Sequence, residues 1–119
     1  EGFRRIISRL YKEFGLPVFP IENGIGQSEI WDGKTKIADD LRISYHQKHL
    51  EAMKKAIFTD GVEVMGYLGW GLIDIPASSG AIDKRYGAVY VDPKSHKRIP
   101  KKSFRWFKNV FASNGDHLD

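Results

Sequence analysis

The chain has 119 residues, of which 41% are hydrophobic and 29% charged, with a net charge of +4 and no cysteine. That is the material of one ordinary globular domain, and it excludes a disulfide framework, thiol chemistry and a helix long and apolar enough to span a bilayer. The lysines and arginines fall singly or in pairs, mostly on expected helix faces, so they read as solvated surface rather than as a nucleic-acid patch.

Residues 3–14 set Phe3, Ile6, Ile7, Leu10, Tyr11 and Phe14 at steps of three and four, with basic residues and Glu13 between them. This is an amphipathic helix, stopped by Gly15 and kept from resuming by Pro17. A short apolar strand follows, Pro17-Val18-Phe19-Pro20-Ile21, and ends in Glu22-Asn23-Gly24. Its last side chain, Glu22, emerges at the strand's C-terminal end, where parallel α/β sheets and barrels keep their chemistry. Residues 25–41 read as a long polar loop, a length that usually marks function or disorder. In it Trp31 serves either as a loop anchor or as a wall for a ligand.

A second helix is expected over residues 43–58, capped by Asp40 or Ser44 and ended by Asp60-Gly61. His46 and His49 share one face of it, but no third ligand at suitable spacing argues for a metal. Residues 62–67 alternate as a strand, and apolar character runs on through Trp70 to Ile75. Residues 76–83 are small and polar, 86–92 form another short strand, and 93–98 a turn. Pro100 is expected to open a final helix with Phe104, Phe107 and Phe111 along one side. Asn114-Gly115 ends it, and the tail beyond is expected to fray. Helices alternating with strands indicate an α/β fold on a parallel sheet, here too few strands to close a core.

Several segments together resemble family 1 glycoside hydrolases. They are Pro17 to Gly24, Asp39-Asp40-Leu41-Arg42-Ile43 leading to His49, Asp60 to Tyr67 before Trp70, Lys84-Arg85-Tyr86-Gly87 leading to Tyr90-Val91-Asp92, and Arg98 to Ser103 before Trp106. The resemblance spans essentially the whole chain. It implies a (β/α)8 TIM barrel, of which 119 residues can supply only the C-terminal part, about strands 7 and 8 with flanking helices. Complete barrels of this kind need about 200 residues or more. Residues 1–119 are read as one such segment.

The resemblance further implies that Glu22 is the nucleophile of a retaining glycosidase and that Trp70 floors the sugar subsite. It is closest to the 6-phospho-β-glucosidase branch. Relatives acting on plain sugars carry an acid after this Trp, whereas here Ala77, Ser78 and Ser79 are followed by Lys84 and Tyr86. A hydroxyl, an ammonium and a phenol can donate to a 6-phosphate that a carboxylate would repel. Ser78 and Ser79 remain interchangeable in that role, and small Ala77 matches the gluco rather than the galacto pattern. The partner carboxyl group that a retaining mechanism requires, about 5 Å from the first, is not in this chain. Asp74 and Glu63 are the nearest alternatives in sequence, and neither matches the family's acid.

The resulting expectation is an inactive part of a bacterial, cytoplasmic enzyme that needs no cofactor and no metal. It would bind a 6-phosphorylated β-glucoside and the remainder of the barrel, but neither nucleic acid nor membrane, and homo-oligomerisation stays open. Read residue by residue, each assignment has a plainer alternative. Glu22 would open an Asn-Gly turn, Trp70 would be core, and Lys84-Arg85 would be solvated loop charge. On those alternatives the chain would be at most a non-catalytic sugar-phosphate-binding module.

Overall fold

The computed structural model describes residues 1–119. Its helices are α1 (Gly2–Phe14), α2 (Asp40–Asp60) and α3 (Lys102–Ala112). Its strands are short: β1 (Gln27–Ser28), β2 (Lys84–Arg85), β3 (Val89–Val91) and β4 (Arg98–Pro100), paired antiparallel as β1 with β2 and β3 with β4.

The parallel component lies in extended segments between these elements. Val18 bridges Val64 and Asn23 bridges Gly69, both parallel and with one constant offset. Backbone bonds run from Val18 N–H to Glu63 O (2.9 Å), from Met65 N–H to Val18 O (3.0 Å) and from Trp70 N–H to Asn23 O (2.7 Å). Pro17 and Pro20 have no N–H to give, which thins the ladder; Pro20 only accepts, from Leu68 N–H at 3.0 Å. Further on, Ile73 bridges Val89 in parallel.

α1 ends as its sequence requires. Gly15 adopts φ 63° and returns its N–H to Tyr11 O at 2.8 Å. Its buried contact is Ile7, which meets Ala56 of α2 and Val62; Phe3, Tyr11, Val18 and Val64 pack around them. Fully buried Ala56 has only a methyl group, which lets the two helices approach closely. A second core joins Leu50 of α2 to Trp106 and Val110 of α3 and to Leu118.

Four expectations change. α2 begins earlier than expected, and its N-cap position is Asp39, not Asp40 or Ser44. The Asp39 carboxylate makes no cap bond, because it is committed to Ser103 and Arg42. The strand expected over residues 86–92 is only β3, which forms a hairpin with β4. Pro100 closes β4 instead of opening a helix, and α3 starts at Lys102. Phe104, Phe107 and Phe111 do share one side of α3, where they line a common cleft, while Ser103, Trp106 and Val110 face the core. The tail is docked: Leu118 is buried, and its carbonyl accepts the Trp106 indole N–H at 3.0 Å.

Both flanks of the parallel pair are apolar and uncovered. On one side Phe14, Leu16, Phe19 and Ile21 are exposed, and on the other Leu68, Leu72, Phe104 and Phe111. Open strand edges beside large apolar patches associate. Produced alone, the chain should therefore form oligomers or aggregates and bind a hydrophobic dye. Sedimentation velocity checks this, and a dye-negative monomer at micromolar concentration would contradict it.

Candidate active site

Glu22 sits at the end of its extended segment in the left-handed region, φ 54°, with its side chain exposed. A non-glycine residue there is uncommon and needs its neighbours held. Asn23 supplies the hold. Its N–H donates to Leu68 O and its carbonyl accepts from Trp70 N–H. Its side-chain oxygen accepts the Tyr67 hydroxyl at 2.8 Å, and Tyr67 is in turn 2.7 Å from His46 Nδ1. Since Tyr67 spends its proton on Asn23, His46 carries its own on Nδ1 and donates it to the phenol oxygen. Three elements thus converge on the residue after Glu22.

Trp70 lies at the same end of the neighbouring segment. Gly24 packs on it so closely that a Cβ would fall 1.9 Å from the Trp70 carbonyl oxygen. Two residues further on, Gly26 lies against Lys84 and Tyr86, and β1 then pairs with β2, Ser28 opposite Lys84. Residues 22–28 therefore run from Glu22 across Trp70 to Lys84 and Tyr86, joining four candidate residues in one strip. The Lys84 ammonium lies 5.5 Å from the Tyr86 ring centre. It makes no ion pair, whereas Lys101 and Lys102 are tied to carboxylates.

Ala77, Ser78 and Ser79 occupy an outlying turn, closed by Ala77 N–H to Ala81 O (2.7 Å) and Gly80 N–H to Ala77 O (2.8 Å). Both serines are exposed, and no hydrogen bond joins them to Lys84 or Tyr86. Glu63 lies at the opposite end of its segment from Trp70 and accepts from Tyr11 (3.3 Å). Asp74 is buried and committed, receiving Arg85 at 3.1 Å, Lys101 at 3.0 Å and the Gly87 N–H at 2.8 Å. Neither is poised as an acid beside Glu22. Trp31 is a loop anchor whose indole donates to Thr35 O at 2.8 Å. His46 and His49 point to different partners, Tyr67 and the Tyr45 carbonyl, and no group of side chains suited to a metal is present.

The reading of Lys84-Arg85 as solvated charge fits Lys84 alone. Arg85 is 3% exposed, its guanidinium 3.9 Å from the Tyr90 ring centre. It belongs to a buried network of three acids and three bases that the sequence reading missed. Arg42 pairs with Asp39 and, at 2.8 Å, with Glu29; Lys101 pairs with Glu29 and Asp74; Arg85 pairs with Asp74. Strand alternation was the available signal. If Lys84 and Tyr86 share one face, Arg85 must take the other.

Burial lowers the pKa of His46 to about 4, helped by the positive charges of His49 and Arg42 and opposed by Asp39. Tyr45, Tyr67 and Phe107 complete its surroundings. Burial likewise raises the pKa of Tyr67, so the phenol stays protonated. The unfolded chain takes a proton on this His near pH 6.5, whereas the folded chain resists down to about 4. Stability should therefore be lost as pH falls through that window and be independent of His46 above it. In the complete enzyme, urea unfolding at pH 7.5 and pH 4.5 should show a smaller pH loss for His46→Gln than for the wild type. Equal losses would contradict the buried neutral imidazole.

The family model of glycosyl hydrolase family 1 matches residues 1–116. The aryl-phospho-β-D-glucosidase BglA of Bacillus subtilis is 42% identical over 98% of this chain. A 6-phospho-β-glucosidase of Clostridium longisporum is 42% identical over all of it. Among solved structures, the family 1 β-glucosidase of Thermotoga maritima superimposes with a TM-score of 0.89 at 33% identity over 98% of the chain. The chain belongs to glycosyl hydrolase family 1. It spans 26% of the B. subtilis relative and 27% of the T. maritima chain, so its fold is a part of a (β/α)8 barrel and not a complete one.

Proposed function

We propose that this chain is the C-terminal part of a retaining 6-phospho-β-glucosidase, residues 1–119 forming one segment without an internal boundary. The observation that carries the reading is the strip of residues 22–28, which links the Glu22 strand end to Trp70, Lys84 and Tyr86. The phospho-β-glucosidase names of its relatives favour the phosphorylated substrate.

In this reading the sugar stacks its C–H face on Trp70, which is 37% exposed in this chain. Glu22 attacks the anomeric carbon and forms a glycosyl-enzyme, the aglycone leaving with a proton from an acid on the remainder of the barrel. Water then releases glucose 6-phosphate, activated by that same group as base. Lys84 and Tyr86 hold the 6-phosphate by donating to its charged oxygens, the ammonium as an ion pair and the phenol as a charge-assisted hydrogen bond. Ser78 or Ser79 completes the site if its turn folds inward on the ligand, and Ala77 leaves room beside it. The chain alone is inactive, since Asp74 and Glu63 are engaged elsewhere. No cofactor or metal enters these steps. A cytoplasmic setting follows from the substrate, which arises when sugar import is coupled to phosphorylation.

The rest of the barrel covers the two apolar flanks. One of them is a cleft of about 620 Å³ between residues 67–72 and α3, lined by Leu68, Leu72, Phe104, Phe107 and Phe111 and reached by Trp70. Its apolar lining suits another packed element better than sugar hydroxyls.

In the complete enzyme, Glu22→Gln should lower kcat by about a thousandfold or more, because it removes the nucleophile. Lys84→Ala should lower the preference for phosphorylated over plain aryl glucoside about tenfold or more, the loss of one charge-assisted bond. Steady-state kinetics on the paired substrates reads both. Normal turnover by Glu22→Gln would overturn the nucleophile assignment, and an unaltered preference in Lys84→Ala would remove the phosphate site.

A further inference from the structure

Gly26 is enclosed by the two residues assigned to phosphate. A Cβ built on it would come within 2.7 Å of Lys84 Cε, 2.7 Å of Tyr86 Cζ and 2.8 Å of Lys84 Cγ. All three are side-chain atoms. Gly24 differs, because there the obstruction is the Trp70 backbone at 1.9 Å. Nor does backbone conformation require glycine at position 26, which is not among the residues of positive φ. Glycine answers here to space alone, and the space belongs to Lys84 and Tyr86.

The backbones on both sides of this contact are fixed. Gln27 pairs with Arg85 and Ser28 with Lys84. Arg85, turned to the opposite face, is held by Asp74 at 3.1 Å and by the Val91 carbonyl at 2.9 Å. Glu29, immediately after β1, is tied to Arg42 and Lys101. With both backbones anchored, only the directions of the Lys84 stem and the Tyr86 ring remain to be set, and the gap at Gly26 is the room they occupy.

We propose that Gly26 is a positioning residue that sets specificity for the phosphate. Its missing side chain leaves a trough in which the Lys84 stem and the Tyr86 ring lie side by side, aiming ammonium and phenol at one anion. This rests on the reading of Lys84 and Tyr86 as 6-phosphate ligands. A methyl at position 26 pushes both side chains aside without moving backbone, so the chain still folds while the anion site is misaligned.

The test uses the complete enzyme as wild type, Gly26→Ala, Lys84→Ala and the double variant, assayed on p-nitrophenyl β-D-glucoside 6-phosphate and its unphosphorylated counterpart. Gly26→Ala should lower the phosphorylated-to-plain ratio of kcat/KM about tenfold, the change appearing in KM for the phosphorylated substrate and not in kcat. In the Lys84→Ala background the same substitution should cost less than half as much on a logarithmic scale, since the two act through one contact. If Lys84→Ala lowers the ratio but Gly26→Ala leaves it unchanged, lowers both activities alike or fails to fold, the positioning role is wrong and the phosphate site stands. If Lys84→Ala leaves the ratio unchanged, both are wrong.

Discussion

A buried, charge-balanced network is what the loops of this structure depend on. Glu29, Asp39 and Asp74 face Arg42, Arg85 and Lys101, with side chains at most 10% exposed. The strands they join are two or three residues long, too short to fix a loop by ladder bonds alone. The ions do that instead. Glu29 anchors the loop after β1, Asp39 and Arg42 the start of α2, Asp74 the segment after Trp70, Arg85 strand β2, and Lys101 the start of α3. Such a network gains little over an apolar core, but removing one partner strands a buried charge at a cost of about 3–5 kcal/mol. Its value is geometric: each of the six groups has an opposite charge beside it, although Arg42 Nε and Arg85 Nε keep no hydrogen-bond partner.

That arrangement lies behind the candidate site. Arg85 lies between Lys84 and Tyr86 in sequence, and a strand turns alternate residues to opposite faces. Securing Arg85 inward presents its neighbours outward. Asn23 does the same for Glu22 by a different route, through backbone bonds to the 62–70 segment and a Tyr67–His46 chain behind it. The reactive strip is thus held at one end by hydrogen bonds and at the other by ion pairs.

Much of this was legible in sequence where the signal was periodic or local. Helix α1, its Gly15 stop and the extended segment leading to Glu22 all follow from short-range rules, although that segment pairs through isolated bridges and not as a regular strand. The order of the family segments carried the rest of the barrel assignment. What was not legible depends on distant partners. Asp40 and Ser44 read as the helix cap, because nothing local shows that Ser103, far along the chain, holds the carboxylate of Asp39 at the true N-cap position. Lys101 and Arg85 read as surface charge because nothing local shows the acids that bury them. Pro100 reads as a helix start, since its pairing with Val89 in β4 is invisible without the hairpin. The tail reads as frayed because a single Leu118 carries its docking. The serines of the 76–83 loop were grouped with Lys84 by the family resemblance, and the fold holds them in a turn of their own.

The central claim is that Glu22 is the carboxylate that bonds to the sugar. The most direct measurement is covalent trapping of the complete enzyme with a 2-deoxy-2-fluoro-β-glucoside 6-phosphate bearing a good leaving group, followed by peptide mass spectrometry. The account predicts one label per active site, on Glu22, and a weaker yield from the same reagent without phosphate. A label on any other carboxylate, or turnover with inversion and no label, would contradict it.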